Sequence, residues 1–86
     1  MPYPHEHACR LRDPREFAPG SFRSMERLHG SRPYRVILGK LKGRNAPADP
    51  MVEQAYRYPV DAWSEYEARA HCGEHGGALF EPASRF

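Results

Sequence analysis

The stretch Met51-Val52-Glu53-Gln54-Ala55-Tyr56-Arg57-Tyr58-Pro59-Val60-Asp61-Ala62-Trp63-Ser64-Glu65-Tyr66-Glu67-Ala68 changes its hydrophobic period at a single proline. Before Pro59, Val52, Gln54, Tyr56 and Tyr58 alternate with Glu53, Ala55 and Arg57, the two-residue repeat of a strand with one buried face. After it, Ser64-Glu65-Tyr66-Glu67 is a capping box: the serine hydroxyl accepts from an early helical N–H while the glutamate reaches back to the cap residue. Trp63 stands where a hydrophobic staple packs. The spacing predicts a helix from Ser64 to His75 with Ala68, Cys72 and Trp63 toward a sheet and Glu65 and Arg69 outward. Gly76-Gly77 supplies a left-handed stop, and His71 and His75 fall in the last turn, where positive charge is favoured. Ala78-Leu79-Phe80-Glu81 then returns as a last short strand.

Working outward, Tyr34-Arg35-Val36-Ile37-Leu38-Gly39-Lys40-Leu41 is rich in β-branched and aromatic residues and is bounded by Pro33 and Gly43. It is read as a central strand, antiparallel to the one after it. Gly43 to Pro50 reads as an exposed loop. The first third is broken by Pro2, Pro4, Pro14, Pro19, Gly20, Gly30 and Pro33, which leaves extended segments and turns. Within it Ala8–Arg12 is a short strand ended by the turn signal Asp13-Pro14, Phe17 and Phe22 are apolar anchors, and Ser21–Arg27 is one further helical turn. The whole is a single domain over 1–86 of the α+β class, a small antiparallel sheet with one helix across it. Residues 1–33 form an irregular arm and 34–86 the body. Trp63, Tyr56, Tyr58, Leu38 and Phe80 are its expected core.

Eighty-six residues, 40% hydrophobic and 28% charged, hold one core and exclude most stand-alone metabolic enzymes. The longest aliphatic run, Val36-Ile37-Leu38, is far short of a membrane span, and Met1–Glu6 lacks the basic start and apolar middle of a secretion signal. The expectation is a soluble, unsecreted protein without membrane contact. The formal charge of +2 conceals polarity: residues 1–45 carry +6 and residues 46–86 carry −4. Such polarity either stitches the two halves together or offers a basic face to an acidic partner.

Cys9 and Cys72 are expected to be thiols in an unsecreted chain; a bridge between them would close a long loop and restrict the unfolded state. If the N-terminal segment is extended, His5, His7 and Cys9 point to one side, and His71, Cys72 and His75 cluster at the helix end, so the six could assemble a tetrahedral N/S zinc site. Neither half has the C-x-x-C spacing of recognised zinc modules, and the reading is no cofactor, with zinc as the alternative. Cys72 lies near a helix C-terminus, where the dipole disfavours a thiolate, and no nucleophile–base set or phosphate cradle is present; the chain reads as a non-enzyme. Arg10, Arg12, Arg23, Arg35, Lys40 and Lys42 are the candidate contact residues. Guanidinium forks suit both phosphates and carboxylates, so a protein partner is the first reading and nucleic acid the second.

The segments Glu6–Pro14, Ser21-Phe22-Arg23, Val36–Gly43, Gln54–Pro59, Glu67-Ala68-Arg69, His75-Gly76 and Phe80–Ala83, with Phe17 and Trp63, together resemble a small uncharacterised domain of tailed bacteriophages and prophages, found alone or joined to head-maturation protease proteins. The resemblance implies a virion, head-assembly or phage–host interaction module, placed in the host cytoplasm or the virion, and carries over no active site. The expected function is therefore a non-enzymatic protein-interaction module that docks through its Arg-rich half onto a phage structural or host protein. The alternative is a small zinc-dependent nucleic-acid binder or blocker of host defence.

Overall fold

Among the described residues five antiparallel strands form one sheet and a single α-helix packs on it. The computed structural model describes residues 3–43 and 50–84. In chain order the elements are β1 (Glu6–Arg10), β2 (Arg23–His29), β3 (Arg32–Gly39), β4 (Val52–Pro59), α1 (Glu65–Glu74) and β5 (Leu79–Glu81). A single 3-10 turn at Pro14–Glu16 follows β1. The sheet order is β2-β3-β4-β1-β5, so β1 is inserted between β4 and β5. The α+β class with one helix is as the sequence reads.

The helix follows from its cap. The Ser64 Oγ accepts from the Glu67 N–H at 3.1 Å and the Ser64 N–H donates to Glu67 Oε1 at 3.1 Å, completing the capping box. Ala68, His71 and Cys72 are buried against the sheet, and Glu65 and Arg69 pair on the outer face at 2.9 Å. Beneath them lie Tyr34, Val36, Tyr56 and Tyr58 from β3 and β4, with Trp63 at the helix entrance. Leu38 and Phe80 pack at the edge of this core. Burying each large side chain contributes about 1.5–3 kcal/mol, so four buried aromatics dominate the stabilisation.

Several local readings are corrected. Ser21–Arg27 is not a helical turn: Arg23–His29 forms the edge strand β2, which closes onto β3 through Gly30-Ser31, with His29 opposite Arg32. Gly30 takes φ +64, the region a hairpin turn demands of a glycine. The first strand spans Glu6–Arg10 rather than Ala8–Arg12; Leu11 and Arg12 leave the sheet and both donate to the Gln54 carbonyl, at 2.8 and 3.2 Å. β3 spans Arg32–Gly39 rather than Tyr34–Leu41, and it is interior as expected, paired with β2 on one side and β4 on the other. Residues 44–49 of the expected loop lie outside the described residues.

A bulge breaks the expected alternation of β4. Ile37 faces Ala55 while Leu38 faces Glu53, so Gln54 has no opposite number. This extra residue turns Glu53 onto the face of Tyr56, whose hydroxyl donates to Glu53 Oε1 at 2.5 Å.

The two cysteines are not thiols. Cys9 in β1 and Cys72 in α1 form a disulfide with a Cα separation of 5.6 Å, tying the helix to the sheet. Gly77 packs against it: a Cβ there would lie 2.7 Å from the Cys9 sulfur and run into the Cys72 sulfur.

Candidate docking surface

The six candidate cations divide into two kinds. Arg12 is held by Glu16 at 3.2 Å, and Arg35 by Glu6 at 2.9 Å, so these two are engaged by the chain's own carboxylates. Arg10, Arg23, Lys40 and Lys42 make no ion pair among the described residues. Arg23 donates instead to the carbonyls of Gly20, at 3.3 Å, and Phe22, at 2.8 Å.

The strand order places the unpaired four at one end of the sheet, with Arg10 and Arg23 three strands apart and on opposite faces. β1 and β3 end where β2, β4 and β5 begin, so Arg10, Arg23, Lys40 and Lys42 all lie at one end of the sheet. The segment between β1 and β2 is fixed there by hydrogen bonds. Ser21 Oγ donates to the Ala18 carbonyl at 2.7 Å and accepts from the Lys40 N–H at 3.0 Å, and the Lys42 N–H donates to the Glu16 carbonyl at 2.8 Å. Phe17, buried, packs tilted against Phe22 with ring centroids 5.4 Å apart and anchors the segment as expected. Gly20, Ser21, Arg23, Lys40 and Met51 enclose an open recess of about 330 Å³ at this end. Asp13 and Glu16 lie nearby, and Arg15 holds the Asp13 carboxyl down at about 2, chiefly by its side-chain hydrogen bond.

Ion pairs also join the two oppositely charged halves. Arg27 meets Glu53 at 2.5 Å and Arg32 meets Glu67 at 2.8 Å, while Arg32 lies 4.2 Å over the Trp63 ring. Burial pushes the Glu53 carboxyl up, but hydrogen bonds from Tyr56 and Arg27 outweigh it and hold it below its ordinary range. The stitching reading therefore applies to Arg27 and Arg32, while Arg10, Arg23, Lys40 and Lys42 make no ion pair among the described residues.

The helix-free face is ordered in rows. One row runs Ser24, Ile37, Ala55, Arg10, Leu79, and the next runs Glu26, Arg35, Arg57, Ala8, Glu81. Arg57 was assigned no role from sequence, and its signal was only its place in the alternation of β4.

The six residues considered for zinc are not brought together. Cys9 and Cys72 bind each other. His5 is exposed, whereas His7 is buried and its Nδ1 accepts from the Ala83 N–H at 2.9 Å. His71 is buried with Nδ1 2.8 Å from the Tyr58 hydroxyl, and stacks on His75 at 4.1 Å. Among the described residues no three His, Cys, Asp or Glu side chains converge to hold a metal ion. Burial, and then the neighbouring His75, His29 and Arg32, depress His71 to about 4. His29, reached only through the unforeseen β2, completes this group 5.0 Å from His71.

The geometry is that of a small α+β module with a basic sheet end. No protein-family model matches the chain, and no curated protein or solved structure is detectably similar to it. No helix among the described residues is long and apolar enough to cross a membrane.

Proposed function

We propose that this chain is a non-enzymatic protein-interaction module of phage or prophage origin, acting in the virion or on a host protein, which docks through its basic sheet end onto an acidic surface. The observation that carries the reading is the division of its cations: Arg12, Arg15, Arg27, Arg32 and Arg35 are matched by internal carboxylates, while Arg10, Arg23, Lys40 and Lys42, all at one end of the sheet, make no ion pair among the described residues. Unmatched cations on one rim steer an acidic partner and fix its orientation. The contact set is narrower than the sequence reading, because recruiting Arg12 or Arg35 would first break an existing pair. The zinc-dependent alternative has lost its two thiolates to the disulfide.

The test is affinity capture from infected or lysogenic cells with the native chain and an Arg23→Glu/Lys40→Glu bait side by side. A partner retained by the first and lost by the second, with both baits equally stable, supports docking by this end. A partner retained equally by both overturns it.

A further inference from the structure

The helix-free face carries a cup of about 330 Å³ whose floor is made by Ala8 and Ala55. The register places these alanines diagonally: Ala8 faces Arg57 and Ala55 faces Arg10, so two small residues and two guanidinium groups share one square of the sheet. Phe22 and Ile37 line the cup on one side and Glu81 on another.

Arg57 is incompletely satisfied. Its side chain is only 17% exposed, its Nε–H has no hydrogen-bond partner, and its nearest carboxylate, Glu6, stands 3.8 Å away and is already bonded by Arg35 through both oxygens, at 2.9 and 3.1 Å. Arg35 lies directly opposite Arg57, so one carboxylate serves two adjacent cations. A buried donor without a partner is costly, and like charges across a strand pair repel; a bound anion would relieve both. The Tyr3 ring lies 4.1 Å from the guanidinium. The Tyr3 backbone carbonyl accepts from the Ser84 N–H at 2.8 Å, which holds this cover in place beside the cup.

We propose that this cup is a binding site for a monocarboxylate on a flat apolar stem. The carboxylate would pair with Arg57, assisted by Arg10, and the stem would lie over Ala8 and Ala55 against Phe22 and Ile37. Glu81 opposes a second negative charge, which favours a carboxylate over a phosphate dianion. The carboxylate belongs either to a free acid or to the C-terminus of a peptide. The site shares Arg10 with the basic sheet end but lies outside the recess at Arg23 and Lys40, and its anchor, Arg57, has no part in the docking reading.

The probes are benzoate and acetyl-Gly-Phe, with benzamide and phenyl phosphate as controls, followed by NMR of the backbone amides and of the arginine Nε–H groups. Benzoate, the dipeptide or both should saturably shift the Arg57 Nε–H and the Ala8 and Ala55 amides, benzamide should not, and phenyl phosphate should bind more weakly. A response to benzoate alone identifies a free acid, and a response to the dipeptide alone identifies a chain terminus. Arg57→Gln should weaken the responding probe by about tenfold or more. The Nε–H shift is read on the native protein, so the test survives if that variant fails to fold. Unmoved resonances with both carboxylates, or equal shifts with benzamide, would overturn the proposal.

Discussion

Arg35 and Arg57 lie directly opposite each other on β3 and β4, and Glu6 on β1 is the carboxylate set against both, 2.9 Å from one and 3.8 Å from the other. Removing that carboxylate leaves two adjacent cations, one of them mostly buried. Glu6→Gln should therefore cost about 1–3 kcal/mol in urea unfolding. Adding Arg35→Met should recover part of the loss, because it removes the repulsion; a double-mutant cycle with no coupling would show that the three groups do not act together.

Opening the Cys9–Cys72 bridge frees a loop with a sequence separation of 63. Cys9→Ala/Cys72→Ala should lose about 2–4 kcal/mol. Gly77→Ala should be damaging in the native chain, since its Cβ would meet both sulfurs. The same substitution should cost less in the bridge-free background, where only the close approach to the Cys72 carbonyl, at 2.9 Å, remains, and equal cost in both would place the crowding at that carbonyl rather than at the sulfurs.

His71 provides a pH dependence with a definite sign. Its folded-state value of about 4 lies below the ordinary 6.5, so between those values the unfolded chain binds more protons. Stability is full above 6.5, falls as pH drops from 6.5 to 4, and levels off below, a loss of about 2–4 kcal/mol. The surroundings that set this are His75 at the C-cap of α1, His29 on β2, Arg32 on β3, and Tyr58 and Glu53 on β4. Denaturant midpoints measured across this range should show the slope, and a His71→Phe variant should flatten it.

The helix end offers a cleaner local test. Ser64→Ala removes the hydroxyl that accepts from Glu67 and should cost about 1 kcal/mol, read as a lower melting temperature with unchanged binding.

Reversing Arg23 and Lys40 should change folding by no more than about 1 kcal/mol, because neither makes an ion pair among the described residues and Arg23 gives up only two exposed hydrogen bonds to the Gly20 and Phe22 carbonyls. Melting temperatures of the native and doubly reversed chains within a few degrees of each other would check this.

What could be read from sequence follows the range of the forces involved. The Ser64–His75 helix was legible because its cap chemistry spans three residues and its face is set by a fixed period. β2 was not legible: it is an edge strand whose residues are nearly all exposed, so Met25, Arg27 and Leu28 show no burial pattern, and only Gly30-Ser31 signalled a hairpin. The Gln54 bulge was invisible because it is defined by a partner strand. At the candidate site the excess of cations could be counted, but which were free could not. Arg35 finds Glu6 across 29 positions and Arg27 finds Glu53 across 26, and only the fold decides such meetings.

The bond between residues 9 and 72 also bears on how the molecule would survive damage. A protease that severs the chain at any point between them produces two pieces that stay covalently linked. Such a nicked form would migrate as one species on a denaturing gel until a reductant was added, and it would keep β1 stapled to α1 while the cut ends drifted apart.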